Sequence, residues 1–389
     1  MPLPPLVEPA AELTRAEVAR YSRHLLLPQL GALGQRRLKN ARVLVVGAGG
    51  LGSPTLLYLA AAGVGTLGVV DFDVVEESNL QRQIIHGQSD IGRLKADSAR
   101  EAIAEVNPLV EVRVHPFRLA ADNAVDLFGG YDLIIDGADN FATRYLVNDA
   151  AVLAGKPYVW GSIYQFSGQA SVFWEDAPDG PEGEKRGLNY RDLYPEPPPA
   201  GAVPSCAEGG VLGVLCASIA SVMGTEAVKL ITGIGESLLG RLLIYDALQM
   251  SYRTITLRKD PAGPPITALV DYEALCGPGD SADPGISPAQ LRDLLDSGAA
   301  VALVDVREPA EWEINRIEGA QLIPKALLES AGGPALLPAG RIAVLYCKSG
   351  TRSAQALTAL KQAGVTDVLH LRGGIVAWAE QFEPDMASY

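Results

Sequence analysis

Two α/β domains in tandem are the fold class that this sequence predicts. The stretch "ARVLVVGAGGLGSPTLLYLAAAGVGTLGVVD" reads as strand, glycine turn, apolar helix and strand. Its strands are continuous apolar runs, as expected of parallel strands buried on both faces. Later, "CGPGDSADPG" has linker composition. Beyond it the pattern restarts: "SPAQLRDLLDSG" is a capped helix, "VALVDVRE" and "RIAVLYC" are strands, "SAQALTALKQAG" a helix and "VTDVLHLRG" a strand. The expected division is 1–276, a linker at 277–285, and 286–389. A chain of 389 residues with 48% hydrophobic content supports two such cores.

Taken in order, Thr14 to Asn40 has helical spacing and many basic side chains, which suggests an N-terminal helical arm. The βαβ unit follows. "YDLIIDGADN" and "PYVWGSI" are further strand candidates with a helix between them. The segment from Glu175 to Ser205 is acidic and proline-rich, and "PEPPPAGAVP" excludes helix or central strand, so a surface loop is expected. "GGVLGVLCASIASVMGTEAVKLI" meets Glu226 and Lys229 before reaching the roughly 20 apolar residues of a membrane span. It reads as a buried core helix.

Net charge −14 argues against a nucleic-acid or anionic-membrane partner, since both need a basic face. The four cysteines, Cys206, Cys216, Cys276 and Cys347, form no CxxC pair, hence neither a disulfide framework nor a closed zinc site. They fit a reducing, cytoplasmic setting. The start "MPLPPLVEPAAEL" lacks the basic and apolar regions of a signal peptide.

Gly47, Gly49 and Gly52 form GxGxxG between strand and helix, and Asp71 ends the next strand. That pattern suits a nucleotide: tight turn, close approach to phosphate, acid on the ribose. By itself it does not separate NAD from ATP. Downstream, Arg82 and Lys95 can neutralise phosphate oxygens, and Asn79 and Gln83 accompany them. Asp139 and Asn140 offer hard oxygen ligands at a strand end, and Mg²⁺ bridging phosphates would suit Asp139. Singly, each is most often a solvated surface residue. Together they favour ATP over a hydride carrier.

Cys206 follows the proline-rich loop in "PSCAEGGVLG", before glycines that open a helix. Cys347 ends a strand and precedes a polar loop, Arg352 and a helix. Both positions favour a thiolate, because amides and the helix dipole stabilise an anion there. Cys347 to Arg352 is a Cx4R loop, one residue shorter than the Cx5R loop that holds phosphate in cysteine phosphatases. A smaller cradle suits the terminal sulfur of a persulfide, with Arg352 and Lys348 adding positive potential. Cys216 lies within an apolar helix and reads as packing. His86, His115 and His370 have no assignable partner in the sequence.

"RYSRHLLLPQLG", "VLVVGAGGLGSP", "DFDVVEESNLQRQ", "GRLKAD" and "DGADN" resemble the signature blocks of the MoeB/ThiF family, over roughly Leu13 to Gly277. These are ubiquitin-activating-enzyme-like adenylyltransferases that act on ubiquitin-fold sulfur carrier proteins. The resemblance implies a Rossmann-like adenylation domain in which Gly50, Asp71, Asn79, Arg82, Lys95 and Asp139 contact ATP. It implies a homodimer to which Arg23 contributes an arginine across the interface. It also makes Cys206 the cysteine that bonds the activated carrier. Many members hold zinc between two CxxC pairs. Here Asn189, Asp192 and Glu273 stand with Cys276 at those positions, so no zinc is expected.

"VALVDVREPAEWEINRIEGAQLIP", "AVLYCKSGTRSA" and "LRGGIVAWA" resemble the rhodanese sulfurtransferase domain, over roughly Ile286 to Phe382. Asp305 and Arg307 resemble positions that brace the cysteine loop. Joined, the two resemblances imply that the carrier's C-terminal Gly-Gly carboxylate is adenylated, then converted to a thiocarboxylate by a Cys347 persulfide. The persulfide would be loaded by a cysteine desulfurase or thiosulfate, in molybdopterin, cysteine or related thiolation. Two alternatives stay open at this point: an NAD-binding oxidoreductase, and an adenylating enzyme whose second domain only docks partners.

Overall fold

The structure is a computed structural model, and it describes residues 3–180, 183–198, 209–272, 275, 285–387 and 389. The described residues form two compact units, one of residues up to 197 and from 209 to 275, the other from 285 onward. The linker expected at 277–285 lies, except for Gly285, outside the described residues.

In the first unit the N-terminal arm is three helices, α1 (Arg15–Arg20), α2 (Ser22–Leu25) and α3 (Gly31–Asn40). Thr14 and Glu17 close a reciprocal cap on α1. Then β1 (Arg42–Val46), α4 (Gly52–Ala62) and β2 (Thr66–Val70) form the expected unit. They are followed by α5 (Lys95–Val106), β3 (Glu111–His115), α6 (Ala124–Gly129), β4 (Leu133–Asp136), α7 (Phe141–Leu153) and β5 (Tyr158–Tyr164). The chain continues through β6 (Ser167–Phe173), α8 (Gly213–Thr232), β7 (Arg241–Asp246) and β8 (Ser251–Thr256).

The strand order is β3-β2-β1-β4-β5-β6-β7-β8. The first five strands pair in parallel and the rest antiparallel. Side-chain alternation assigns the two faces: Val43 and Val45 enter one core, Leu44 and Val46 the other. Because β1 lies between β2 and β4, the order reverses there and a crevice opens beyond the strand ends. Helix α8, long and apolar enough to cross a membrane, instead buries Leu215, Ile219, Met223 and Leu230 in the first of these cores.

The second unit comprises α9 (Pro288–Asp296), β9 (Val301–Asp305), α10 (Pro309–Ile314), β10 (Gln321–Leu322) and α11 (Lys325–Leu328). Then come β11 (Ile342–Tyr346), α12 (Thr351–Gln362), β12 (Val368–His370) and α13 (Gly374–Phe382). Its sheet, β10-β9-β11-β12, is wholly parallel. Val304 and Leu345 face one core, Leu303 and Val344 the other.

Where β9 ends, Asp305 and Arg307 form a fully buried ion pair, with Arg307 donating to both carboxylate oxygens at 2.6–3.0 Å. Removing one partner of such a pair strands the other charge. Arg307→Met is therefore expected to destabilise the second unit by about 3–5 kcal/mol. Hydrogen exchange over residues 285–389 reads this, and unchanged protection there would contradict it.

Candidate functional site

The glycine turn is built by close approach. Gly47 has φ +90°, and a Cβ on Gly52 would lie 1.8 Å from the Gly47 carbonyl oxygen. Helix α4 can therefore start directly above β1. Its N-cap, Leu51, provides no side-chain cap; the Ser53 N–H instead donates to the Gly49 carbonyl at 2.8 Å, which closes the turn on itself. The Ala48 N–H donates to Asp71 Oδ2 at 2.8 Å, fixing the turn to the end of β2. Burial pushes the Asp71 carboxyl up, against the Ala48 bond and the Lys95 charge. His86 completes the brace with Nε2 at 3.0 Å from the Ala48 carbonyl and Nδ1 at 2.8 Å from Ser98 Oγ on α5. Burial lowers its basicity, which suits a neutral ring bridging two groups.

A cavity of about 860 Å³ opens here, within the first unit. It is lined by Gly47, Gly49, Gly50, Asp71, Arg82, Gln83, Lys95, Asp139 and Asn140, nine of the residues singled out from sequence. Lys95 Nζ donates to Asp73 Oδ2 at 3.0 Å and Arg82 to the Ser78 carbonyl at 2.9 Å. Buried Gln83 Oε1 has no hydrogen-bond partner among the described residues. Asp139 is exposed at the cavity's edge. Asn140, in the lining, also caps α7: its Oδ1 accepts from the Thr143 N–H at 2.8 Å. Two expected residues are not in the lining. Asn79 is buried, its Oδ1 accepting from the Glu76 N–H at 3.3 Å, and Arg23 is exposed on α2. Sequence reasoning missed the apolar side, Phe72, Phe117, Val270 and Tyr272, with Arg118 4.9 Å above the Phe72 ring. The run "HPFRLA" directly after a strand end was the available signal.

Cys206 lies outside the described residues, as do Glu273 and Cys276. Cys216 is buried in α8, and its Sγ lies 2.9 Å from where a Gly50 Cβ would stand. Of the expected zinc-position residues, Asn189 donates to Glu175 Oε2 at 2.7 Å, and Asp192 accepts from the Asn189 N–H at 2.8 Å. Lys259 Nζ reaches Glu175 at 2.6 Å and Asp192 at 3.3 Å. An ammonium thus ties the loop to the segment after β8.

In the second unit Cys347 follows β11 and is fully buried. The Gly350 N–H points at its Sγ from 3.1 Å, and Ser353 Oγ lies 3.7 Å away. Gly350 takes φ +97°. The loop is pinned from outside by α13, whose Ile375 N–H donates to the Cys347 carbonyl at 2.8 Å and Val376 N–H to that of Lys348 at 3.2 Å. A Cβ on Gly374 would lie 2.4 Å from both carbonyl oxygens. Arg352 makes a two-pronged pair with Glu311, both bonds 2.7 Å. Burial alone would raise the Glu311 carboxyl, but bonds from Arg352, the Glu308 amide and Tyr389 hold it below the usual range. Arg352 is thus engaged in bracing the loop. His370 is buried with Nδ1 3.4 Å from Ser353 Oγ, and His115 Nε2 meets Tyr131 Oη at 2.7 Å.

One group at the first site titrates unusually. Asp136, ending β4, is fully buried and its Oδ2 has no partner among the described residues. Burial pushes its carboxyl from the ordinary 3.8 up to about 7. Between those values the unfolded chain has lost the proton that the folded chain keeps, so stability falls as pH rises; below and above the window the term is flat. Asp136→Asn is expected to remove this slope, gaining melting temperature relative to the parent between about pH 4 and about pH 7. A constant difference across that range would refute the assignment.

Comparison with known proteins bears on the whole chain. Residues 21–264 match the ThiF family and residues 287–381 the rhodanese-like domain. A Mycobacterium tuberculosis protein named probable adenylyltransferase/sulfurtransferase MoeZ is 71% identical over 393 residues, covering 100% of this chain and 99% of that protein. The sulfur carrier protein adenylyltransferase of Thermus thermophilus is 53% identical over 270 residues, 68% of this chain and 98% of its own. The crystal structure of E. coli MccB with MccA-N7isoASN shares the fold at TM-score 0.55 and 18% identity, covering 69% of this chain and 77% of that one. The chain belongs to the ThiF family, among members that add a rhodanese-like domain and act as adenylyltransferase and sulfurtransferase.

Proposed function

We propose that the first unit uses ATP to adenylate the C-terminal Gly-Gly carboxylate of a ubiquitin-fold sulfur carrier protein, and that the second supplies sulfur from a Cys347 persulfide. The observation that carries the first half is the convergence of Arg82 and Lys95 on the glycine-turn cavity. Two cations there suit a triphosphate, whereas hydride transfer needs none. The ThiF match and the carrier-directed name of the Thermus thermophilus relative support the same reading and set the oxidoreductase aside.

The carrier carboxylate is ionised at neutral pH, so it attacks the α-phosphorus without a general base. The new bond is acyl oxygen to phosphorus, and pyrophosphate leaves with the electron pair. Arg82 and Lys95 neutralise charge on the transferring phosphates, which lie against the glycine turn. Phe72 and Phe117 offer a face to the base, and Asp71 an acceptor to the ribose. Asp139, exposed at the cavity edge, fits Mg²⁺, which takes one or two carboxylates with phosphate oxygens and water. Bound there, Mg²⁺ would neutralise phosphate charge. Arg23, exposed outside the cavity, is available to a second copy in a homodimer.

At Cys347 the thiolate attacks the outer sulfur of a donor such as thiosulfate. The donor's S–S bond breaks, sulfite leaves, and the persulfide stays against the loop amides. A cysteine desulfurase persulfide would serve as donor in the same way. The terminal sulfur then attacks the acyl-adenylate, and AMP leaves. In the other route Cys206 first displaces AMP to bond the carrier as a thioester, and the terminal sulfur then displaces Cys206. Either way a small thiol cleaves the resulting acyl disulfide and releases the thiocarboxylate, and a second one resets the disulfide so formed. Such thiol chemistry suits the reducing cytosol. The product is a sulfur source for molybdopterin, cysteine or related thiolation.

Lys95→Ala is expected to lower carrier-dependent ATP–pyrophosphate exchange by about a hundredfold. No exchange in the parent protein with a Gly-Gly-ended carrier would sink the adenylation reading. Cys347→Ala should leave exchange intact and abolish carrier thiocarboxylate, read as oxygen-to-sulfur replacement by mass spectrometry. If thiocarboxylate still forms from thiosulfate, the second unit only docks partners.

A further inference from the structure

Arg144, at the start of α7, lines the nucleotide cavity beside the residues already described. Gly47, Asp71 and Lys95 reach that cavity from the ends of β1 and β2 and the chain that follows them. Arg144 reaches it from beyond β4, across the point where the strand order reverses. Only 7% of its surface is accessible. Its Nε donates to the Ala138 carbonyl at 3.2 Å, and its guanidinium carbon stands 5.4 Å from the Phe141 ring centroid. Among the described residues its two Nη atoms have no hydrogen-bond or ion-pair partner, and neither is sealed from solvent. A deeply buried guanidinium, fixed at Nε, thus keeps its outer edge open.

The groups that feel its charge do not cancel it. Asp136 is one, and burial pushes its carboxyl up to about 7, so at neutral pH it offsets the guanidinium only in part. Tyr190 and Tyr194 are the others, and burial keeps both hydroxyls protonated. The reaction itself supplies a matching anion. Adenylation brings a carboxylate against the α-phosphate, and the two like charges repel unless a cation lies with them. Arg82 and Lys95 serve the phosphates. A carboxylate takes the paired Nη edge of a guanidinium through two parallel hydrogen bonds, which an ammonium cannot provide. We propose that Arg144 binds the carrier's C-terminal carboxylate and turns it toward the α-phosphorus. The proposal rests on the adenylation reading above and names the group that receives the acyl substrate. Nucleotide and carboxylate then enter one crevice from its two sides.

The test measures binding to the full chain of a Gly-Gly-ended ubiquitin-fold sulfur carrier, and of the same carrier with its C-terminus amidated. α,β-Methylene-ATP is present throughout, so the nucleotide site is filled and no adenylate forms. The parent is expected to bind the carboxylate form about tenfold more tightly than the amide. Arg144→Gln should bring the two affinities together, whereas loss of a merely structural arginine would weaken both alike. Arg144→Lys keeps a charge near Asp136 should the glutamine variant fail to fold, and without the fork it should lose part of the preference. Affinity for α,β-methylene-ATP alone should match the parent in both variants. A parent without preference, or a variant that keeps the full preference, would overturn the proposal. A variant that loses nucleotide affinity would put the guanidinium on a phosphate and overturn it as well. A parent that shows no carrier-dependent ATP–pyrophosphate exchange would instead count against the adenylation reading.

Discussion

The Gly47 carbonyl oxygen occupies the place where a side chain at residue 52 would begin, 1.8 Å from the Cβ of any residue but glycine. Much of the first unit follows from that contact. It sets α4 directly on the end of β1, and Gly137, whose Cβ would fall 3.2 Å from the Gly52 amide, lets the end of β4 close in from the other side. The turn is then held by Asp71 at the Ala48 amide and His86 at the Ala48 carbonyl, which leaves the wall of the cavity little freedom to relax. The second unit reaches the same end by different means. Gly374 packs on the Cys347 and Lys348 carbonyls, and the start of α13 satisfies them, while the Gly350 amide turns inward to sulfur. Both centres are therefore backbone concavities locked by glycine contacts.

The parallel half of the large sheet was legible because buried parallel strands need unbroken apolar runs, and "RVLVV" and "TLGVV" supply them. The antiparallel half was not. Strand β8, "SYRTIT", is exposed along its whole length, and β6 mixes small and polar residues, so neither shows a continuous run. The candidate site was read well where a residue's type states its task, as with Arg82 and Lys95 on the cavity wall. It was less legible where distant partners set the surroundings. The Thr143 amide on the Asn140 oxygen follows from the start of α7, and Glu311, which grips Arg352, lies 41 residues away. His86 carried no local signal at all, since its partners Ala48 and Ser98 lie 38 and 12 residues distant.

Asn189 and Asp192 in the long loop have partners of their own. Glu175, Asn189, Asp192 and Lys259 share hydrogen bonds and ion pairs that tie Tyr190–Asp192 to the chain after β8. Arg191 and Tyr272 both bond the buried Asp149, anchoring the loop and the end of the unit to α7.

The Gly350 amide aimed at Cys347 has a consequence for descent as well as for chemistry. An amide is present whatever the side chain, so a cradle made of amides survives most substitutions in its own loop. Lys348, Ser349 and Thr351 can drift among relatives, altering which donors approach, while the groups that face the sulfur stay the same. The positions without that latitude are Gly350 and Gly374, where a side chain would meet backbone atoms at 2.9 Å and 2.4 Å. Natural variation should accordingly reshape the approach to this centre far more readily than its interior.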